Sequence, residues 1–495
     1  MNRPLDRMRA EAAAAPDLTD NEMRALAYFA VGVSSEGSVG GRDVSNRLSF
    51  AGTVANGVMN PAGNSGYSIG TLQIDLGQRP QTGHQLVAAY QSWADVNQPD
   101  WRLTEAQRAQ TVHDLTRNGR TIRAENGRSM DAVTKQRLDQ FLQSDDGIRF
   151  VHDRDSEQVE ELMTGVVQGL RGTRLYRESS VDDRITLAAM MIKLENQSGA
   201  AWVPRFLERM DNGTYAEVDD VNQAISGLLP GLQGGNDYLE SGRDNALRGA
   251  HVFSSLRGMG EDNPLRQSWQ STVENPLVDP TRLGNDPYRR DLHAEYSTVK
   301  TLFMQYQQAP ELISALERGT GYAYGRPRQE GGNAPTAGLY ASGDDLVVWN
   351  RSGHGHARIG GAWSEIEMSD LTRTRNPDGS VDLSITRAGE TSRLLRFDPN
   401  TDPLRPAPQI ERQVSADRAE TVSEQPIVIQ ARAAVHRLDA SLGRMPDETS
   451  ERMTASLACL ARQNGLSCID HVVLSAGNAQ TPPGQNVFVV QGRLD

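Results

Sequence analysis

The sequence predicts a multidomain protein: a mainly α amino-terminal part with some α+β character, a small antiparallel β unit in the middle, and a compact α+β module at the carboxyl end. Three observations carry that reading. Helical periodicity dominates from near Gln85 to about Gly258, strand-like runs cluster between Tyr340 and Phe397, and prolines gather in the stretches between these regions. A chain of 495 residues is also too long for one core, since about 150 residues per domain gives roughly three folding units.

The first helix is NEMRALAYFAVGV, Asn21 to Val33, with Met23, Leu26, Phe29 and Ala30 on one face and Asp17, Thr19 or Asp20 as its N-cap. It leads into SSEG, which sets Glu36 at its carboxyl end. From Gly37 to Gly77 the chain is rich in Gly, Asn and Ser, the composition of turns and short strands. Helical segments follow at Gln107 to Thr116, Ser129 to Leu142, Ser156 to Leu170, Val181 to Lys193 and Val221 to Leu229. The stretch ENPLVDPTRLGNDP, Glu274 to Pro287, reads as a connector with one more helix after it, from about Leu292 to Glu317. DLVVWN, SVDLSITR and RLLRF around the NPDG turn at Asn376 to Gly379 make the β unit. DPNTDPLRPAPQ, Asp398 to Gln409, is a linker, and the last block has helix-like sequence at Gln430 to Ala440 and Asp447 to Gln463, then strand-like runs at Ile469 to Leu474 and Asn486 to Gln491. The boundaries so drawn are 1–260, 261–335, 336–400, 401–429 and 430–495.

Composition narrows the function. With 51 basic and 64 acidic residues the net charge is −13, which argues against nucleic acid as a partner. Only Cys459 and Cys468 are present, too few for a disulfide scaffold or a cysteine-rich zinc module, and they read as buried free thiols. No run approaches the roughly 18 to 20 apolar residues that span a bilayer, and the amino terminus lacks a signal-peptide pattern, so export would need another route. There is no P-loop, dinucleotide fingerprint or GxSxG elbow, and no cofactor is expected. His354 and His356 in SGHGH read as exposed loop histidines, so no metal is expected either, and Glu195 reads as a solvated helix end.

The chemistry centres on Glu36. A carboxyl group at the negative end of a helix and against apolar packing is disfavoured as an anion, and a protonated carboxylic acid is what the leaving oxygen of a glycosidic bond requires. The segment GNSGYSIGTLQIDLGQRP, Gly63 to Pro80, adds a Gly-rich approach and a strand-like piece, IGTLQID, whose alternate side chains would line a groove. Together these residues resemble the lysozyme-like superfamily, in which goose-type lysozymes and lytic transglycosylases carry a catalytic glutamate at a helix end and a later Gly-Leu-Met-Gln-Ile/Val segment in the sugar groove. Thr71 departs from that pattern. The resemblance implies Glu36 as general acid and Asp75 as second carboxylate, with Asp43 as the competing base. Tyr67, Ser68, Gly70, Thr71 and Gln73 are then the substrate-binding positions, on the glycan strands of peptidoglycan.

The carboxyl-terminal stretch VHRLDASLGRMPDETSERMTASLACLARQNGLSCIDHVVLS, Val435 to Ser475, with FVVQG at Phe488 to Gly492, closely resembles the C-terminal XVIPCD domain of Xanthomonadales-type bacterial-killing type IV secretion effectors. The resemblance implies an export address read by the coupling ATPase of a type IV system. It further implies a toxin made in the cytoplasm, acting in the periplasm of a target cell and countered by a periplasmic immunity lipoprotein. The expected activity is a glycoside hydrolase of the lysozyme type, with a lytic transglycosylase as the alternative enzyme and a non-catalytic peptidoglycan-binding effector as the alternative of another class.

Overall fold

A computed structural model describes residues 17–39, 42–199, 201–233, 238–285, 290–304, 322–324, 338–342, 344–349, 354–387, 389–397, 427–429, 468–475 and 487–493. The chain divides into two units, Met1–Pro408 and Gln409–Asp495, and each is described by itself.

The larger unit begins with α1 (Asp20–Ala25), which runs without a break into a π-helical stretch, Leu26–Glu36. Of the three N-cap candidates Thr19 does the capping: its hydroxyl accepts from the Glu22 amide at 3.1 Å and its own amide donates to Glu22 Oε2 at 2.8 Å. Every residue from Leu26 to Ser34 is buried, so this helix is apolar all round and sits inside the core, where the sequence suggested a single apolar face. In the wider i→i+5 turn the Gly37 amide reaches the Gly32 carbonyl at 2.7 Å, closing the helix immediately after Glu36.

Short strands follow: β1 (Ser38–Val39), β2 (Arg42–Asp43), β3 (Ser49–Phe50), β4 (Gly52–Ala55), β5 (Val58–Pro61), β6 (Tyr67–Ile69) and β7 (Ile74–Asp75). They form small antiparallel sheets, one of them in the order β3-β6-β7. The helices α2 (Pro80–Asn97), α3 (Glu105–Thr116), α4 (Gly119–Ala124), α5 (Ala132–Leu142) and α6 (Asp145–Leu162) come next. Leu48, Tyr67, Ile69, Leu86, Tyr90 and Phe141 share one core with them. The second core surrounds the π-helix and draws on α9 (Val181–Ser198), which follows the short α7 (Gln168–Gly172) and α8 (Arg174–Glu178). It continues through α10 (Val203–Asp211), α11 (Val218–Gln233) and α12 (Tyr238–Gly258). Helix α6 joins the two cores, with Val151 in the first and Val159 in the second.

The segment expected as a connector belongs to this second core. Its helices are α13 (Pro264–Glu274), α14 (Pro280–Asn285) and α15 (Arg290–Met304). Trp269 packs edge-on to Phe253 at 4.9 Å between ring centroids, and Tyr296 and Phe303 pack against Phe29 at 5.5 and 5.4 Å. The Tyr296 hydroxyl donates to the Tyr28 hydroxyl at 2.9 Å, and Ser34 Oγ donates to the Phe303 carbonyl at 2.8 Å.

The β unit comprises two antiparallel sheets. One has the order β12-β11-β10-β9-β8, from β8 (Tyr322–Tyr324), β9 (Gly338–Ser342), β10 (Asp345–Trp349), β11 (His354–Ile359) and β12 (Ala362–Glu367). The other has the order β13-β14-β15, from β13 (Leu371–Arg375), β14 (Val381–Arg387) and β15 (Glu390–Phe397). The two-residue side-chain period of a strand lets β10 serve two cores: Leu346 and Val348 join the helices, while Val347 and Trp349 join Tyr340, Leu383 and Leu395. The smaller unit shows three antiparallel strands in the order β16-β18-β17, namely β16 (Ile427–Ile429), β17 (Cys468–Ser475) and β18 (Val487–Arg493). The helices expected at Gln430 to Ala440 and Asp447 to Gln463, and with them Cys459, lie outside the described residues.

Candidate active site

Glu36 ends its helix as the sequence suggests, with its side chain 17% exposed, but its surroundings are not purely apolar. The Lys193 ammonium on α9, 1% exposed, donates directly to Glu36 Oε1. Burial pushes the Lys193 pKa below the ordinary lysine value, and the Glu36 carboxylate partly offsets that push. One helical turn further along α9, Asn196 Nδ2 donates to Glu36 Oε1 at 3.3 Å and to the Leu72 carbonyl at 3.1 Å, while its Oδ1 accepts from Gln158 Nε2 at 2.5 Å.

Leu72 belongs to the Gly70–Gln73 segment that the sequence singled out, so Asn196 ties that segment to the helix end bearing Glu36. The approach is close on both sides. A Cβ at Gly32 would come within 2.9 Å of Thr71 Cγ2, and one at Gly37 within 3.0 Å of the Thr71 carbonyl, which makes glycine the residue that fits.

The segment IGTLQID is not a continuous strand. Ile69 pairs with Ile74 and Ser68 with Asp75, so Gly70 to Gln73 form the loop of the β6–β7 hairpin. Gly70 has φ +89° and Gln73 φ +55°, conformations that turn the chain. The loop is closed by Gln73 Nε2 donating to the Gly70 carbonyl at 2.8 Å and Ser68 Oγ donating to Gln73 Oε1 at 2.8 Å. From beneath, the Asp155 carboxylate on α6 accepts from the Thr71 amide at 2.9 Å and the Leu72 amide at 3.2 Å. Burial pushes the Asp155 carboxyl above its ordinary range, the two amides pulling it back in part.

The remaining sequence-predicted positions fall in different places. Asp75 serves its own turn, accepting from the Gly77 amide at 2.8 Å, the Gln78 amide at 3.2 Å and the Gly66 amide at 3.3 Å. Burial raises its carboxyl above the ordinary range in spite of those bonds. Asp43 lies on β2, opposite Ser38. Tyr67 is a core residue, packed on Phe50 at 5.8 Å with its hydroxyl on Met59 Sδ at 3.6 Å, and Thr71 is buried with its hydroxyl donating to the Tyr28 hydroxyl at 3.3 Å. Ser68 and Gln73 are thus the polar pair of the set that holds the loop. Glu195, half-buried, packs at Gly165, and burial pushes its carboxyl up. Sequence reasoning passed over Lys193, Asn196 and Asp155. The signal for the first was available, since a lysine in the otherwise apolar run LAAMMIKL calls for a buried anion as partner.

The carboxyl-terminal unit gives the clearest comparison. Residues 420–495 match the protein-family model described as X-Tfes, XVIPCD. The match supports a type IV effector secretion signal in that segment, and with it the reading of the chain as a type IV secreted effector. No curated protein and no solved structure matches the chain. The lysozyme-like resemblance of the amino-terminal part therefore rests on its own residues.

Proposed function

We propose that the protein is an antibacterial toxin effector that cleaves the glycan strand of peptidoglycan, with Glu36 as general acid. The observation that carries this reading is the Asn196 amide, which joins Glu36 Oε1 to the Leu72 carbonyl of the Gly70–Gln73 loop. A sugar would meet the loop at Gln73, its part-exposed residue, on the way to the partly exposed Glu36 carboxyl. Because Glu36 faces the Lys193 ammonium as a carboxylate, the acid step requires it first to take up a proton; when that proton passes to the leaving oxygen, the anion formed again is met by the Lys193 ammonium and the Asn196 amide, which need not reorganise.

One observation favours a lytic transglycosylase over a hydrolase. Inverting hydrolysis needs a second carboxylate free to activate water, and the Asp75 carboxylate is engaged by three backbone amides. In the transglycosylase route Glu36 acts first as acid and then as base toward a hydroxyl of the sugar itself, and no second carboxylate is required. Delivery through the type IV coupling ATPase, action in the periplasm of a rival and neutralisation by a periplasmic immunity lipoprotein complete the proposal.

The test is digestion of purified peptidoglycan by the full chain. Soluble fragments with anhydro ends support the transglycosylase, and reducing ends support the hydrolase. Glu36→Gln should lower the rate by about 10² to 10⁴ while Glu195→Gln leaves it near wild type. An inert wild-type protein overturns the enzymatic reading, and an active Glu36→Gln overturns Glu36 as its acid. Deleting residues 420–495 should stop delivery to neighbouring cells and leave digestion in vitro intact.

A further inference from the structure

A second cluster of chemistry-bearing side chains lies away from Glu36, where α15 meets the β unit. His293 comes from α15, His356 from β11 and Glu365 from β12. His356 and Glu365 are directly opposite one another in the antiparallel β11–β12 ladder, which aims their side chains at the same face of the sheet. Helix α15 packs across β10, β11 and β12, bringing His293 to that face. The two imidazole rings stand edge to face at 5.3 Å between centroids, and one ligand atom from each of the three residues lies within 4.8 Å of the others.

The rings pose a physical problem as they stand. Among the described residues, His293 Nδ1 and His356 Nε2 are buried and have no hydrogen-bond partner. A buried polar atom left unpaired is costly and uncommon in a folded protein. The two half-buried rings stand against each other, each with one unpaired ring nitrogen. A neutral imidazole nitrogen is a common metal ligand. Neighbouring His354 has a different environment: it is exposed and its Nδ1 pairs with Glu367 Oε1 at 2.8 Å.

We propose that His293, His356 and Glu365 bind a divalent transition-metal ion of the Zn²⁺ type. Two imidazoles and one carboxylate are a recurrent three-residue donor set for zinc, with bonds of about 2.0 to 2.2 Å and a fourth position left to water. The exposed Glu365 side chain is free to turn toward the two rings. The ion supplies what the buried ring nitrogens lack, and because its ligands come from α15, β11 and β12 it clamps the β unit to the helical core. The site is independent of the peptidoglycan reading.

The experiment uses the full chain, free of any affinity tag, stripped with chelator and titrated with Co²⁺ as a spectroscopic probe and then with Zn²⁺ in competition. The expected result is one equivalent of Co²⁺ with the intense visible bands of a four-coordinate ion, displaced by Zn²⁺, and a thermal midpoint raised by Zn²⁺. Removing a ligand should weaken binding by at least about a hundredfold, more than loss of an outer-shell partner costs. Glu365→Gln carries the test, since an exposed, equal-sized change keeps the fold, with His356→Ala alongside it. His354→Ala should bind as wild type does. Absence of four-coordinate bands in the wild type, or the same affinity in Glu365→Gln and His356→Ala as in wild type, overturns the proposal.

Discussion

Lys193 is buried to 1% exposure and spends its ammonium on Glu36, whose carboxylate reaches 17% exposure. An interior ammonium costs several kcal/mol in desolvation, so the pair adds little to stability and its value lies with the carboxylate it faces. Lys193→Met keeps the length and apolar packing of the side chain while removing the charge. The expected outcome is a lowered thermal midpoint, because the part-buried Glu36 carboxylate is left without its cation, and a fall of about 10² in the rate of peptidoglycan digestion, as when one electrostatic donor is removed from a reacting centre. Calorimetry and a digestion assay on the same preparation check both halves.

Asp75→Asn separates a positioning carboxylate from a reacting one. Asn can place its oxygen where Oδ1 accepts from the Gly66, Gly77 and Gln78 amides and gives up the charge and the second Gly66 contact at Oδ2, so the turn from Gly66 to Gln78 should lose no more than about 1 kcal/mol. Digestion measured well below the midpoint should stay within a few-fold of wild type. A loss of activity as large as that of Glu36→Gln, with stability unchanged, restores Asp75 as the catalytic base.

Asp155 and Gly70 form a lock under the loop. Asp155→Ala leaves the buried Thr71 and Leu72 amides without their acceptor and should cost about 2 to 4 kcal/mol, read from urea midpoints. Gly70→Ala should cost about 1 to 3 kcal/mol for a different reason: its φ is +89° and the added Cβ would lie 2.5 Å from Asp155 Oδ1. Because the two changes strike one contact, their effects should be less than additive in the double variant.

An acid-sensitive element lies at the surface beside the first core. Partial desolvation opposes ionisation of Glu125, yet bonds from His113 at 2.7 Å and Arg117 at 2.8 Å hold its carboxyl down to about 2, against 4.5 for a free glutamate. A carboxyl lowered on folding stabilises above its unfolded pKa, and that contribution is lost as pH falls from about 4.5 through about 2. Glu125→Gln should therefore lower stability by about 1 to 2 kcal/mol at pH 7 and flatten the dependence on pH below 4.5, in urea titrations run at stepped pH.

The helix before Glu36 is readable from NEMRALAYFAVGV because capping chemistry and apolar content are local properties. Its π-helical turns are not, since the 3.6-residue period that reveals a helix carries no mark of an i→i+5 register, and the register decides where Glu36 points. IGTLQID reads as a strand because Ile69 and Ile74 are strand residues, and they do sit in strands, paired across a turn. That turn depends on Asp155, 84 residues away along the chain from Thr71, a contact that no window of sequence contains. Pro and Asn between Glu274 and Pro287 suggest a connector, yet Trp269, Tyr296 and Phe303 on either side of it are core aromatics. Local composition reports the bend and misses the packing around it.

Strand β10 is a party wall: Leu346 and Val348 face one room, Val347 and Trp349 the other. A chain cut at residue 260 would lose α15 as well, and with it the Phe303 carbonyl that holds Ser34 and the Tyr296 hydroxyl that holds Tyr28, both on the helix that ends in Glu36. Helices and β unit should accordingly melt together in a single transition, and any fragment meant to test the proposed lytic activity has to run past Phe397 to keep the helix that ends in Glu36 in place.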